Sequence, residues 1–148
     1  MVAAALPKNM PDGVKQVLLP LIDEHARHWL LLHADLQERC FYVYDSSPPS
    51  RPKDKNERNL VFDRARTAVA LALMQSDLYT DALTWERVHV DCPPQSNGHD
   101  CGVFVMVFMD LLSITGGMLC FSQADIRQLR EKCLTDLLAG RIRNFPMM

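Results

Sequence analysis

Val103–Met109 is the longest strongly apolar run in the chain, and it stops at Asp110. It falls far short of the roughly 20 residues a bilayer-spanning helix needs, so this run has to be buried in protein. The apolar density extends from Cys101 to Ser113 and closes at Gly116-Gly117, which fits a buried helix with a glycine stop. Such a helix must be wrapped by other elements. With 148 residues, 48% of them apolar and 23% charged, the chain suffices for one domain with its own core. The 16 basic and 18 acidic side chains leave a net charge of −2, which argues against nucleic-acid binding as the main task.

The start, MVAAALPKNMPDG, has no basic n-region and too short an apolar stretch for a signal peptide. Residues 1–13, rich in Pro, Gly and small side chains, read as flexible. Cys40, Cys92, Cys101, Cys120 and Cys133 are odd in number and lack CxxC spacing. Without an export signal they read as reduced thiols of a nuclear or cytoplasmic protein that is not secreted, one of them open to a reactive role.

No internal repeat, low-complexity tract or linker divides the chain. Val14–Ile22 reads as a strand interrupted by Pro20, and Trp29–Leu32 and Phe41–Tyr44 as two more, joined through Ala34–Arg39 in a hairpin-like connection. Ser46–Asn56, with its prolines and charges, reads as a surface loop, and Arg51–Lys55 within it as solvated. From Glu57 to Gln75 the apolar positions Val61, Ala65, Ala68, Ala72 and Leu73 have helical spacing. Val88–Val90 is a short strand candidate ended by Cys92-Pro93-Pro94. The last helix has Ser122 as cap, Asp125 three residues on, and Ile126, Leu129, Cys133 and Leu137 on one face before Gly140. Strands mainly first and helices mainly last predict an α+β domain.

The chemistry concentrates where the turn-rich loop Asp91–Asp100 runs into the helix that begins at Cys101. A thiol there sits at the positive end of the helix dipole, among N–H groups without helical partners. That setting favours thiolate, the form a nucleophile needs, and the same N–H groups can stabilise an oxyanion. Gln95, six residues earlier, can add a side-chain amide donor. A cysteine nucleophile needs a base, and the base an orienting partner. His28 immediately precedes the Trp29 strand and Asp45 immediately follows the Phe41–Tyr44 strand, so pairing of these strands puts both at one end of the hairpin. Asp45 then holds one ring nitrogen and leaves the other to face the sulfur.

His28-Trp29, then Val43-Tyr44-Asp45-Ser46, then Gln95, then Asp100-Cys101-Gly102-Val103-Phe104, in this order, resembles the ubiquitin-like-protein-specific cysteine proteases. This is the SUMO (sentrin) protease family, related to adenovirus protease. The resemblance runs from about Leu18 through the helix after Cys101. It implies a papain-like α+β fold: a small sheet with flanking helices and the nucleophile at a helix N-terminus. It implies Cys101 as nucleophile, His28 as base and acid, Asp45 as orienter and Gln95 as oxyanion donor, with no metal or organic cofactor. Trp29 is implied to cover a narrow channel that threads a modifier's Gly-Gly tail, since only glycine lets a backbone pass between close walls. The partners implied are SUMO or another ubiquitin-like modifier and its conjugates, handled by a monomer without nucleic acid or membrane. Only 27 residues precede His28, whereas the family's catalytic domain has a longer N-terminal part that supplies modifier-binding surface and a second aromatic wall. Trp85, which follows Asp45, does not match that wall. Residues 1–148 are thus expected to be a single catalytic domain, short at its N-terminus.

Each residue also has a plainer role open to it. Cys40, Cys120 and Cys133 read as small buried hydrophobes, and Cys101 can be one too. His28 alone is a strand-rim residue, Asp45 alone opens a turn, Gln95 alone is a loop amide, and Trp29 alone is core. A catalytically inactive remnant that binds a modifier or acts as a scaffold is the alternative function. His89, Cys92, His99 and Cys101 offer zinc-ligand chemistry within a short span, but in no usual finger spacing.

Overall fold

The structure, a computed structural model, describes residues 11–115 and 119–141. The elements run β1 (Gln16–Asp23), β2 (His28–Asp35), β3 (Cys40–Tyr44), α1 (Pro52–Leu73), β4 (Glu86–His89), α2 (Cys101–Thr115) and α3 (Ile126–Leu138). Most of the expected flexible start, and the Gly116-Gly117 stop, lie outside the described residues.

The strands form one sheet in the order β1-β2-β3-β4. β1 to β2 and β2 to β3 are antiparallel, and β3 to β4 is parallel because the chain crosses through α1 before returning. Both hairpins use the same turn. Asp23 faces His28 across four loop residues, and Asp35 faces Cys40 across another four. Each opening aspartate accepts from turn N–H groups, Ala26 at 3.2 Å for Asp23 and Gln37 and Glu38 at 2.9 Å for Asp35. Each turn ends on an arginine in the left-handed region, Arg27 at φ 51° and Arg39 at φ 55°. Pro20 does not interrupt β1: it is exposed on an outer strand of the sheet, where a missing N–H is tolerated.

Successive strand residues point to opposite faces, and each face is covered. Leu30, Leu32, Ala34, Phe41 and Val43 pack with Phe62, Ala65, Val69 and Leu73 of α1. Leu31 and Tyr44 pack on the other face with Phe104 and Phe108 of α2 and Ile126 and Leu129 of α3. This is why Leu30–Ala34 of β2 is buried without a break instead of alternating. Burying side chains of this size stabilises by about 1.5–3 kcal/mol each.

Four expectations need correction. The helix read from Glu57 begins at Pro52 and takes up part of the expected loop, because proline suits a helix's first turn, where its missing N–H costs nothing. Its inner stripe is Arg58, Phe62, Ala65, Val69, Ala70 and Leu73, so Val61, Ala68 and Ala72 flank the buried line. In α3 the face turns inward at Asp136, which takes a bond from Lys132, and Leu137 is 75% exposed. Cys120 is exposed and Cys133 only half-buried, while Cys40 is buried. The reciprocal Ser122–Asp125 capping box is present, with one 3-10 turn, Gln123–Asp125, leading into α3.

Candidate functional site

His28 opens β2, a strand with a partner on each side. Its ring is buried, and its Nε2 lies 2.7 Å from Oδ1 of Asp45, one residue past β3. A carboxylate only accepts, so Nε2 carries a proton, and Nδ1 is the ring nitrogen left to exchange one. Burial works to raise Asp45. The His28 bond, the Arg58 guanidinium and the Ser47 N–H outweigh it and hold the carboxyl below its usual range. Asp45 is therefore ionised at neutral pH and accepts from the imidazole N–H.

Trp29 follows His28 and points to the opposite side of the strand, 40% exposed. Its Cδ1 stands 3.8 Å from where a Cβ on Gly102 would lie, which sets it against the start of α2 beside Cys101. Cys101 is the first residue of that helix and is 5% exposed.

Gln95 reaches the same region from the other direction. Its N–H donates to the Ser46 carbonyl at 2.8 Å, and its Oε1 accepts from Ser46 Oγ at 2.6 Å. With Oε1 so occupied, the amide nitrogen is fixed as the outward end. One of its hydrogens goes to the Asn97 carbonyl, which leaves the second for a ligand. Contacts and chain neighbours thus join these residues along one path: Cys101-Gly102, Trp29-His28, Asp45-Ser46, Gln95. All five residues singled out in the sequence belong to it.

The turn before α2 is held from outside. Asn97 Oδ1 accepts from the N–H groups of His99 and Asp100, and Asn97 Nδ2 donates to Asp100 Oδ2 at 2.6 Å. Gln123 Nε2 adds a bond to the same oxygen at 2.9 Å, and Arg130 pairs with Asp100 Oδ1. The Asn97 bond leads these partners in lowering Asp100 to about 2, against the opposing effect of burial. Gln123 Oε1 also accepts from the Ser96 N–H at 2.7 Å.

Three supporting residues were not found in the sequence. Ser46 stands in the sequence only as the residue after Asp45, and Asp23 and Arg58 lie outside the motifs. Arg58 donates from Nε to Asp23 at 2.7 Å and from Nη1 to Asp45 at 2.6 Å. A usable signal existed, because Arg58 stands four residues before Phe62 on the apolar stripe of a helix, where a charge demands a partner. Among the described residues no group of three or more His, Cys, Asp or Glu is placed to hold one metal ion. The Cys92 thiol instead donates to the Asp45 carbonyl at 3.4 Å, and burial pushes it up to about 11. No helix of the described residues is long and apolar enough to cross a membrane.

Residues 6–138 match the model of the family described as the Ulp1 protease family, C-terminal catalytic domain. The chain is 30% identical over 112 residues to ubiquitin-like-specific protease 1A of Arabidopsis thaliana, covering 75% of this chain and 21% of that protein. It is 32% identical over 114 residues to NEDD8-specific protease 1 of Schizosaccharomyces pombe, covering 70% and 23%. Among solved structures, SUMO protease Ulp1 with its catalytic cysteine oxidised to a sulfenic acid superposes with a TM-score of 0.69 at 24% identity, covering 90% of this chain and 57% of that one. The C-terminal Ulp1 protease domain in complex with Smt3, the yeast ortholog of SUMO, superposes at 0.64 and 25% identity, covering 88% and 57%. The α+β protease fold implied by the sequence is the fold of these neighbours. The chain spans about a fifth of the length of these two curated relatives.

Proposed function

The chain belongs to the Ulp1 protease family, and from that membership we propose that it is a cysteine isopeptidase that cleaves after the Gly-Gly tail of SUMO or a related ubiquitin-like modifier. The observation that carries the reading is the path of contacts that links Cys101, Trp29, His28, Asp45 and Gln95 through Gly102 and Ser46. The relatives' names give ubiquitin-like modifiers in general and NEDD8 in particular, and the proposal extends that substrate class to this chain.

In this proposal the Cys101 thiolate attacks the carbonyl carbon of the last glycine. The carbonyl oxygen becomes an oxyanion, met by the second Gln95 Nε2 hydrogen and by N–H groups at the start of α2. His28, protonated, gives its proton to the leaving amine as the C–N bond breaks, and a thioester remains. The now neutral imidazole takes a proton from water, whose oxygen attacks the thioester and frees the carboxylate and the thiolate. Asp45 holds the ring through both steps. Trp29 forms one wall of the passage, beside a glycine that adds no bulk at position 102. No metal or organic cofactor takes part.

The described residues, one sheet with a core on each face, support a single catalytic unit. We place its work in the nucleus or cytoplasm, where Cys40, Cys92, Cys101, Cys120 and Cys133, all free, stay reduced. It acts as a monomer, without nucleic acid or membrane.

The test exposes the purified chain to ubiquitin-like proteins carrying an electrophilic C-terminus, with intact mass and peptide mapping as readout. A modifier-selective adduct on Cys101, lost in Cys101→Ala, is expected. A folded chain that forms no adduct with any modifier overturns the reading and favours an inactive binding module.

A further inference from the structure

Arg58 lies two turns into α1 at 8% exposure, on the stripe continued by Phe62, Ala65 and Val69. A guanidinium keeps its charge at any pH a protein survives, so burying one demands partners. Two carboxylates supply them, Asp23 at 2.7 Å and Asp45 at 2.6 Å, and the Ser47 carbonyl adds a weaker contact at 3.3 Å. These two acids stand on either side of His28. Asp23 is its partner in the β1–β2 register, and Asp45 bonds its Nε2.

Resting on the reading of His28 as the acid–base group, we propose that Arg58 is a positioning residue of the site, which locks the Asp45 carboxylate and cancels part of the negative charge around the imidazole. The lock is geometric. Oδ1 of Asp45 is taken by His28 and the Ser47 N–H, and Oδ2 by Arg58, so the carboxylate cannot rotate away. The charge argument follows from the same contacts. Asp23, Asp45 and Arg58 together carry one net negative charge beside the ring. Without the guanidinium two buried carboxylates face His28 and favour the imidazolium. Without the Asp23 charge, Arg58 answers Asp45 in full and the imidazolium is disfavoured.

Other ionisable groups surround the network. His25 stands in the β1–β2 turn. Lys55 of α1 and His89 of β4 line a cavity of about 210 Å³ bordered by Asp45 and Arg58. At the start of α1, Arg51 pairs with Asp54, and Glu57 lies nearby on the same side as Asp23. His25, Lys55, Arg51, Glu57 and His89 are exposed, so solvent screens them. The Cys92 thiol, bonded to the Asp45 carbonyl, stays protonated, and Cys101 opens α2. Asp23 and Arg58 are thus the buried charges bonded into the Asp45 network, whereas buried Asp100, ahead of Cys101, is held by Asn97, Gln123 and Arg130.

The test follows the His28 imidazole by NMR across pH in the full chain, alongside kcat and KM on SUMO bearing a C-terminal aminocoumarin. Arg58→Gln is expected to move the titration midpoint up by about one pH unit. Its kcat should fall on the order of tenfold, with KM little changed. Asp23→Asn, which keeps an acceptor and strands no carboxylate, is expected to move the midpoint down, and Arg58→Lys should stay close to the parent. A residue with only a structural role would lower Tm in these variants and leave every midpoint in place. An unmoved midpoint in folded Arg58→Gln overturns the proposal. Where that variant does not fold, an unmoved midpoint in Asp23→Asn overturns it equally. If the parent chain proves inactive on every modifier, the protease reading fails, but the NMR titration still decides the role of Arg58.

Discussion

Asp100 and Arg130 meet side chain to side chain across the seam between the loop that precedes α2 and the second turn of α3. The contact joins the residue before Cys101 to the last helix. Asp100 is buried with three side-chain partners, whereas Arg130 is half exposed. The two partners should therefore differ in consequence. Asp100→Ala leaves Asn97 and Gln123 without their acceptor and is expected to cost about 1.5–3 kcal/mol. Arg130→Ala loses a solvent-screened pair and should cost under about 1 kcal/mol. Thermal melts of both variants check the order. Equal losses would mean that the pair, not the acceptor hub, holds the loop.

Acid should act on the same hub. Asp100 titrates at about 2 in the folded chain and close to 3.8 when unfolded. A carboxyl depressed by folding contributes stability that is fully present above its unfolded value and is lost as pH falls through its folded one. Asp45 and Asp23 are also depressed, so their contributions fall over the same side of the scale. Denaturant titrations between pH 5 and 2 are expected to report a steep loss below about pH 4. Asp100→Asn should flatten it.

His33 gives a second, separate acid response. It is buried in β2 against Tyr42 and Tyr44, and neither ring nitrogen has a hydrogen-bond partner among the described residues. Burial pushes its titration below the ordinary 6.5. The unfolded chain takes up the proton first, so stability is full above 6.5 and declines as pH falls toward the folded value. His33→Leu removes the two unsatisfied nitrogens and should raise stability by about 1 kcal/mol at neutral pH. It should also abolish the decline as pH falls below 6.5. Tm measured across that range in parent and variant decides it.

Gln95 is held by Ser46, and the two substitutions separate orientation from donation. Gln95→Glu keeps shape but puts acceptors where a donor is required, and kcat is expected to fall on the order of 10²–10³-fold. Ser46→Ala leaves the donor in place but frees the amide to turn, so the loss should be smaller, near tenfold. A Gln95→Glu variant with parental kcat would remove Gln95 from the mechanism.

Cys101→Ala should abolish turnover, while Asp45→Ala should lower it less, on the order of 10²-fold. The second variant carries a stability cost of its own, about 3 kcal/mol or more, because it breaks a buried pair with Arg58. Rates must therefore be read below its Tm. Full activity in Cys101→Ala refutes the thiol mechanism outright.

What could be read from the sequence was whatever depends on near neighbours. The hairpin between Phe41 and Trp29, the helix after Cys101 and the capping box at Ser122 rest on spacing and local hydrogen bonds. The candidate residues were nameable for the same reason, since His28, Trp29, Asp45 and Cys101 stand at strand ends or a helix start and Gln95 in the loop leading into that helix. What could not be read depends on how α1 lies on the sheet. The place of Arg58 on the apolar stripe asks for a partner, but which partners emerges only when the helix crosses the strand ends and brings it between Asp23 and Asp45. Pro52 looked like loop because proline marks both turns and helix starts. Leu137 shared the spacing of Ile126 and Cys133, but a small angular drift along α3 gives the inner place to Asp136 instead.

The two hairpins also set an order of assembly. Their four-residue turns make β1, β2 and β3 a ribbon of local contacts, cheap in loop-closure entropy. The contact of α2 with β2 closes a far longer loop. On a ribosome the ribbon that holds His28 and Asp45 emerges well before Cys101 is synthesised. The imidazole therefore waits for its sulfur, and a nascent chain carries no assembled site with which to attack anything until the second core has closed.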